Sequence, residues 1–326
     1  MKRSNQIILI LLLIAIVSSC KKDNPGNIPD SIVQTDNYSS VANFFAVNCP
    51  PVQTFTINAS GGSFRTPNGT WVTIPASVYF KTESGGAVTG NITIQFKDIY
   101  KKSDMFLNNI TTNIYGAKPI KSAGMFYIKA MQGSQVLQLI PGYNEKITIW
   151  QPSHSYPLDN NMKPYILQKD TVEGWVTPQM QPDTMISNDF LSDSILNYVF
   201  SMYQFSSPVD SGSWCNTDDS AYFSAYPQTT LTLTTLNSYS DYNTQVFLFF
   251  TNINAMVRFD YWEYTNSFSY KYAPLSLNCT AIAIGVKNGN LYSSFIPITI
   301  SSNLTVNFSL SQTTTAGFIS QLNALN

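Results

Sequence analysis

The chain has 326 residues, a formal net charge of −1, 44% apolar and 13% aromatic residues, whereas charged residues make up only 11%. This composition excludes an intrinsically disordered protein, because disordered chains are rich in charge and poor in aromatics. The small net charge also gives no overall field that would attract nucleic acid. Abundant Tyr, Phe and Thr suit the pleated surface of a sheet, so the composition predicts a folded, mostly β protein.

The first twenty residues have the pattern of a secretory signal. Lys2 and Arg3 precede an unbroken apolar run from Ile7 to Val17, which is too short to span a bilayer permanently. Small residues follow, and Cys20 stands at the expected cleavage point. The pattern therefore predicts a signal peptide over residues 1–19.

The stretch Val17-Ser18-Ser19-Cys20 resembles the bacterial lipobox, whose cysteine becomes the lipidated first residue of the mature protein. The resemblance implies that Cys20 carries acyl chains such as palmitate and attaches the protein to the cell envelope. Lys21 stands where an aspartate would hold a lipoprotein at the inner membrane, so the resemblance favours the outer membrane. We therefore expect a lipid-anchored envelope protein whose contact with the membrane is made through this lipid.

Residues 20–48 are polar and rich in turn formers, which predicts a flexible tether. From residue 49 to residue 151, short stretches of alternating apolar and polar residues are separated by turn signals, which is typical of a β-sandwich domain. A helical turn is expected near Lys101, with Ser103 or Asp104 as its cap. Strands are predicted around Phe55–Ile57, Val72–Ile74, Asn91–Phe96, Met125–Ala130, Val136–Leu139 and Lys146–Trp150.

Part of this first domain resembles the β-sandwich domain shared by ankyrins and netrin receptors. The similar residues are Gly61-Gly62-Ser-Phe, Pro67-Asn-Gly69-Thr and Val72-Thr-Ile-Pro75-Ala76. Lys97–Met105 and Ser122–Ile128 also resemble a group of uncharacterised bacterial lipoproteins that carry such a domain. The resemblance covers about residues 55–150 and implies a protein-interaction module without shared catalytic residues.

Residues 152–195 lose the alternation and gain proline, which predicts a bridge, with a strand near Thr171–Val176. Residues 196–326 regain it, so the fold class expected is all-β, with two β-sandwich (Ig-like) domains in tandem and a short C-terminal helix within residues 313–325. Asn288-Gly289 is a strong hairpin signal. Strands are predicted at Thr229–Leu236, Gln245–Phe250, Met256–Glu263, Ser267–Tyr272, Thr280–Val286, Leu291–Ile300 and Thr305–Leu310.

An aromatic cluster in the second domain is the leading candidate for ligand binding. Alternation along one strand would put Phe259 and Tyr261 on its core face and Trp262 and Tyr264 on the other, beside Arg258. Exposed rings next to polar groups suit sugar recognition, because sugar C–H faces stack on aromatic rings while hydroxyls form hydrogen bonds. The alternative is cross-strand packing that only stabilises a hairpin turning near residues 265 and 266.

The sequence suggests two kinds of covalent bond, a disulfide between cysteines and O-glycosylation of serine and threonine residues. Cys215 and Cys279 both fall in the second half and could form a disulfide; buried thiols are the alternative. Five Asp-(Ser/Thr)-apolar triplets resemble a periplasmic O-glycosylation sequon of some Gram-negative bacteria. Their acceptor positions would be Ser31, Thr171, Thr184, Ser194 and Ser220.

Catalytic and metal chemistry have little support in the sequence. The single histidine, His154, excludes a multi-histidine metal site within one chain. Asp210, Asp218 and Asp219 lie close in sequence but do not match a calcium-loop spacing, and no phosphate-binding glycine loop is present, so neither metal nor cofactor is predicted. We expect a non-catalytic binding or scaffolding protein that contacts a glycan. The alternatives are an envelope-protein scaffold without a small ligand, or a surface hydrolase.

Overall fold

The computed structural model shows a mostly β protein with several antiparallel sheets and a short C-terminal helix. Residues 36–326 form one compact unit. The structure describes residues 36–76, 80–82, 84–114, 118–139, 147–152, 159–168, 174–176, 191–193, 198–200, 202–207, 212–235 and 239–326. No helix among these residues is both long and apolar enough to cross a membrane.

From Gln228 onward the helices and strands of the described residues lie close to the predicted ones, except that the predicted strand Met256–Glu263 is divided in two. The helices are α1 (Val41–Asn48), α2 (Lys102–Leu107) and α3 (Thr315–Asn323). The strands of the first half are β1 (Gln53–Asn58), β2 (Gly62–Arg65), β3 (Trp71–Ile74), β4 (Phe80–Lys81), β5 (Asn91–Ile99), β6 (Lys121–Gln132), β7 (Gln135–Val136), β8 (Gln138–Leu139), β9 (Ile147–Pro152), β10 (Lys163–Gln168) and β11 (Gly174–Val176). Those of the second half are β12 (Leu191–Asp193), β13 (Tyr198–Phe200), β14 (Met202–Ser207), β15 (Ser213–Asp219), β16 (Gln228–Thr235), β17 (Thr244–Phe250), β18 (Met256–Arg258), β19 (Asp260–Trp262), β20 (Ser267–Pro274), β21 (Asn278–Lys287), β22 (Asn290–Thr299), β23 (Thr305–Phe308) and β24 (Ser311–Gln312).

Two sheets enclose a first hydrophobic core. One has the strand order β1-β5-β6-β15-β10-β11, with β7 on β6, and the other has the order β14-β9-β3-β2. Alternate residues of these strands point between the sheets, as period-two sequences require. The core residues include Ile94, Phe96, Phe126, Ile128 and Ile149, all at most 2% exposed.

Two further sheets enclose a second core. Their orders are β19-β20-β16-β23 and β18-β17-β21-β22-β24, and β16 runs parallel to β23. In β16, Leu231 and Leu233 alternate with half-buried threonines and are fully buried. The predicted Asn288-Gly289 hairpin joins β21 to β22, and both turn residues have positive φ (51° and 81°), as a type I′ turn requires.

A third core joins the two halves of the chain. The opposite faces of β5 and β6 contribute Ile99 and Met125, and the opposite face of β17 contributes Phe247 and Phe249. The helices pack against the same cluster, and the Phe106 ring of α2 lies 4.7 Å from the Phe247 ring. The two halves of the chain therefore share buried apolar surface and belong to one compact unit.

Helix α1 corrects the predicted extent of the tether. The Ser40 hydroxyl accepts a hydrogen bond from the Asn43 amide (3.0 Å), which caps the helix, and Phe44 is completely buried. The Phe44 ring contacts the Phe318 ring of α3 edge to face, with centroids 5.5 Å apart. Burying an aromatic side chain contributes about 3 kcal/mol. Residues 41–48 therefore belong to the folded body, and their assignment to the tether is wrong.

The predicted domain boundary is also wrong, because strands on both sides of it join the first pair of sheets. β10 and β11, from the predicted bridge, extend the first sheet next to β15. β15 itself, from the predicted second domain, pairs with β6, and β14 pairs with β9. Sequence alternation shows that a segment is a strand but does not identify its partner, so it could not place these strands.

Candidate functional site: an aromatic hairpin tip

The aromatic cluster lies on a hairpin formed by β19 and β20. Trp262 pairs with Ser267, and the connecting residues 263–266 contain a short 3-10 turn, Glu263–Thr265. Asn266 follows in the left-handed conformation (φ 47°), and its side-chain oxygen accepts a hydrogen bond from the Tyr261 hydroxyl (2.8 Å). The predicted turn near residues 265 and 266 is confirmed, and these contacts hold it in one conformation.

The inner face of the hairpin packs on the second core, as predicted. Phe259 and Phe268 are buried in this core, and Tyr261 is half-buried against it. The Tyr261 and Phe268 rings lie 5.0 Å apart, a cross-strand contact that contributes about 0.2–1 kcal/mol. Packing therefore accounts for these rings but not for those of the outer face.

The outer face presents two aromatic rings to solvent. Trp262 is 44% exposed and Tyr264 is fully exposed. The Lys271 ammonium group lies 4.9 Å from the centre of the Trp262 ring, a cation–π contact. Lys271 was absent from the predicted site, although alternation from Ser267 would have placed it on the same face. We call Trp262, Tyr264 and Lys271 the hairpin tip.

The strand that was predicted to carry both Arg258 and Trp262 is not continuous. The predicted strand Met256–Glu263 is interrupted at Phe259, where the chain passes from one sheet to the other. Arg258 ends β18 and pairs with Phe247, whereas Asp260 starts β19 and pairs with Ser269. The prediction of one continuous strand is therefore wrong, whereas a role of Arg258 in ligand binding stays a prediction.

The predicted disulfide is not formed. Cys215 and Cys279 are both buried thiols, in the first and second core respectively. Burial in apolar surroundings raises the pKa of the Cys279 thiol to about 12. The alternative of buried thiols is therefore the one observed, because the two strands that carry them belong to different pairs of sheets.

Most of the predicted glycosylation positions lie outside the described residues. This applies to Ser31, Thr171, Thr184 and Ser194, and also to His154 and to Cys20, the predicted site of lipid attachment. Ser220 is half-buried, and the Asp219 before it accepts hydrogen bonds from the amides of Ala221 (2.8 Å) and Tyr222 (3.2 Å). Asp219 thus has a structural role of its own, and glycosylation of Ser220 stays a prediction.

The carboxyl of Asp218 is deeply buried, beside a bulge between β6 and β15. Neither of its oxygens has a hydrogen-bond partner among the described residues, since the nearby Ser122 hydroxyl donates to Asn216 (2.7 Å). Burial, and secondarily the charge of Asp219, raise the pKa of Asp218 well above its usual value. No three metal-ligating side chains cluster in the described part of the chain; Asp210 lies outside it.

No protein-family profile matches this chain, and no curated protein matches it either. The resemblance of residues 55–150 to the ankyrin and netrin-receptor domain therefore stays a prediction.

Proposed function

We propose that the chain is a lipid-anchored, non-catalytic binding protein of the bacterial envelope whose hairpin tip contacts glycans. The observation that carries this proposal is the full exposure of Tyr264 next to the exposed Trp262 ring. A hairpin needs neither ring for its own packing, since the inner face supplies the core contacts. Exposed aromatics of this kind are a feature of binding surfaces.

The chemistry of the hairpin tip suits a sugar. Aromatic faces stack on the C–H faces of a pyranose, and the exposed side chains of Asp260 and Glu263 can accept hydrogen bonds from its hydroxyls. Lys271 supplies a donor on the same side. The hydrogen bond from Tyr261 to Asn266 helps to position the loop, so the ordering cost of binding falls on the exposed side chains of the hairpin tip.

The location and finer architecture are part of the same proposal. Acyl chains on Cys20 would anchor the protein at the outer membrane, since each buried methylene contributes about 0.8 kcal/mol. The two cores, each enclosed by two sheets, support a description as two Ig-like sandwiches packed against each other.

The lipid anchor is tested by the Cys20→Ser substitution. The variant should no longer incorporate labelled palmitate and should be released from the membrane fraction. Retention of either property in the variant would contradict the anchor.

Glycan contact is tested with the full chain and soluble oligosaccharides. Titration with chitohexaose, cellohexaose and maltohexaose, followed by tryptophan fluorescence and calorimetry, should show saturable binding to at least one. Trp262→Ala should weaken that binding by about tenfold, the equivalent of one stacked ring. Tyr242→Ala is the control, because it also removes an exposed aromatic ring (92% exposed) but lies on a different turn. Equal losses in the two variants, or binding to none of the sugars, would leave the protein-scaffold alternative.

A further inference from the structure

A cavity of about 650 Å³ lies where the two halves of the chain meet. Its walls come from the residues that follow β5, the start of β6, the turn after β17 and the last three residues of the chain. This volume is in the range that holds a small ligand. No residue of the hairpin tip lines it, so it is a separate candidate site.

The cavity contains a buried cation that forms no ion pair with any of the described residues. Lys102 is only 5% exposed, and its ammonium group donates one hydrogen bond, to the Phe250 carbonyl (2.7 Å). An ammonium group has three donors, so two remain. The ion pair recorded among the described residues, Lys121 with Asp159 (2.8 Å), does not include Lys102. Burial lowers the pKa of Lys102 to about 8, and no nearby carboxylate opposes that shift.

The nearest acidic side chain in sequence does not neutralise this cation. Asp104 also lines the cavity, but residues two apart on a helix do not face each other. Lys101 and Lys97 are the cations that act on Asp104, and burial outweighs them and raises the pKa of its carboxyl. Lys102 therefore keeps an unpaired positive charge inside the cavity.

Two further lysines reach the lining, but Lys121 is paired with Asp159 and Lys101 is exposed to solvent. Neutral polar groups and an apolar wall complete it. The Asn254 amide donates to the carbonyls of Tyr100 (3.2 Å) and Ser122 (3.0 Å), so its position is fixed. Its side-chain oxygen has no partner among the described residues and can accept from a ligand hydroxyl. Phe249 and Ile253 supply the apolar surface. One deep cation, fixed hydrogen-bonding groups and apolar rings match a small ligand with one acidic group and several hydroxyls.

We propose that this cavity binds a sugar acid, with the carboxylate paired to Lys102 and the hydroxyls hydrogen-bonded to the surrounding amides. Lys121 is already neutralised by Asp159 and Lys101 is exposed, so Lys102 is the buried lysine of the described lining that a ligand has to balance. One such charge favours a carboxylate over a doubly charged phosphate. A carboxylate would also use the two remaining donors of Lys102 in charge-assisted hydrogen bonds. The bound carboxylate would then give the buried Lys102 ammonium the counter-charge that offsets its loss of hydration.

The test uses calorimetry with the full chain and three matched sugars. D-Glucuronate carries the carboxylate, D-glucose lacks it, and glucose 6-phosphate replaces it by a phosphate. We expect D-glucuronate to bind at least about tenfold more tightly than either of the others. Equal affinity for D-glucose, a preference for glucose 6-phosphate, or no binding of D-glucuronate would each overturn the proposal.

Three variants locate the binding. Lys102→Met should weaken D-glucuronate binding by about tenfold or more, because it removes the charge while keeping the chain length. Ala123→Glu, which adds a carboxylate to the lining, should abolish it. Lys287→Met is the control with the same change of charge, since Lys287 is exposed and lies seven residues, about 23 Å, along β21 from the lining residue Thr280. Unchanged affinity in a folded Lys102→Met or Ala123→Glu protein, or an equal loss in Lys287→Met, would refute the assignment.

Discussion

Replacing the buried lysine by methionine should stabilise the protein at neutral pH and destabilise it at alkaline pH. In the folded protein the pKa of Lys102 is lowered from 10.5 to about 8. Between these values the unfolded chain binds more protons than the folded one, so the free energy of unfolding rises with pH over this range. At pH 7 the charged lysine therefore lowers stability by about 3 kcal/mol, since each unit of pKa corresponds to about 1.4 kcal/mol.

The lysine also makes a favourable contact, which the variant loses. Its hydrogen bond to the Phe250 carbonyl contributes about 1 kcal/mol. Lys102→Met should thus be more stable than the natural protein by about 2 kcal/mol at pH 7. Near pH 10.5 most of the penalty has disappeared from the natural protein, and the variant should be less stable by about 0.5 kcal/mol.

Chemical denaturation at pH 7, 8.5 and 10.5 measures this reversal. Other groups titrate in the same range, among them Cys279, whose pKa is raised to about 12, but they are common to both proteins. The difference between the two free energies of unfolding therefore isolates Lys102. A difference that stays constant with pH, or a loss of stability in the variant at pH 7, would refute the reasoning.

Substitutions at three further positions test the structure by their effect on the free energy of unfolding. Gly124 has a positive φ of 138°, and Gly124→Ala would place a Cβ atom 2.5 Å from the Tyr100 ring. The free energy of unfolding from thermal melts should therefore fall by about 3 kcal/mol. A fall below about 0.5 kcal/mol would show that the ring is not held there. The Asp98 carboxylate accepts hydrogen bonds from the side chains of Thr66 (2.5 Å) and Asn68 (2.9 Å). Asp98→Ala would leave both donors without this acceptor and should lower the free energy of unfolding by at least about 3 kcal/mol in urea titrations. Asp98→Asn, which keeps one acceptor oxygen, should lower it less. Asp218→Asn should stabilise the protein at pH 7, because a carboxyl with a raised folded-state pKa contributes stability below its unfolded pKa of 3.8 and loses it as the pH rises. That gain should vanish at pH 3, and a gain that persists there would show that the charge of Asp218 is not its cause.

Much of the secondary structure could be predicted from local pattern alone. β16, β17, β21 and β22 lie within a residue or two of their predicted bounds, because their alternation marks residues that pack on a core. The Asn288-Gly289 turn and helix α3 were predicted for equally local reasons, since turn chemistry and helical spacing involve neighbours in sequence. The exposure of the Trp262 and Tyr264 rings was also predicted from alternation between neighbouring residues.

Predictions from local pattern were wrong where the structure depends on a residue that is distant in sequence. The first helical turn was expected to have Ser103 or Asp104 as its cap, yet α2 begins after Lys101 without a side-chain cap, because Asn326 at the far end of the chain accepts the Ser103 amide (2.9 Å). The crossing between sheets at Phe259, which divides the predicted strand Met256–Glu263, also depends on distant partners, since Arg258 pairs with Phe247 and Asp260 with Ser269. Nothing near these residues in sequence encodes which sheet they join.

The sequence by itself determined that the chain is rich in β-strands, where most of these strands lie and which aromatic rings face solvent, because each depends on the spacing of a few neighbouring residues. Only the tertiary structure decided that the two halves share a core, that Cys215 and Cys279 are apart, and that Lys102 lies in a cavity. Those features arise when segments more than a hundred residues apart, such as α2 and β17, bury apolar surface together. The gain from that burial does not depend on the order in which the segments occur along the chain.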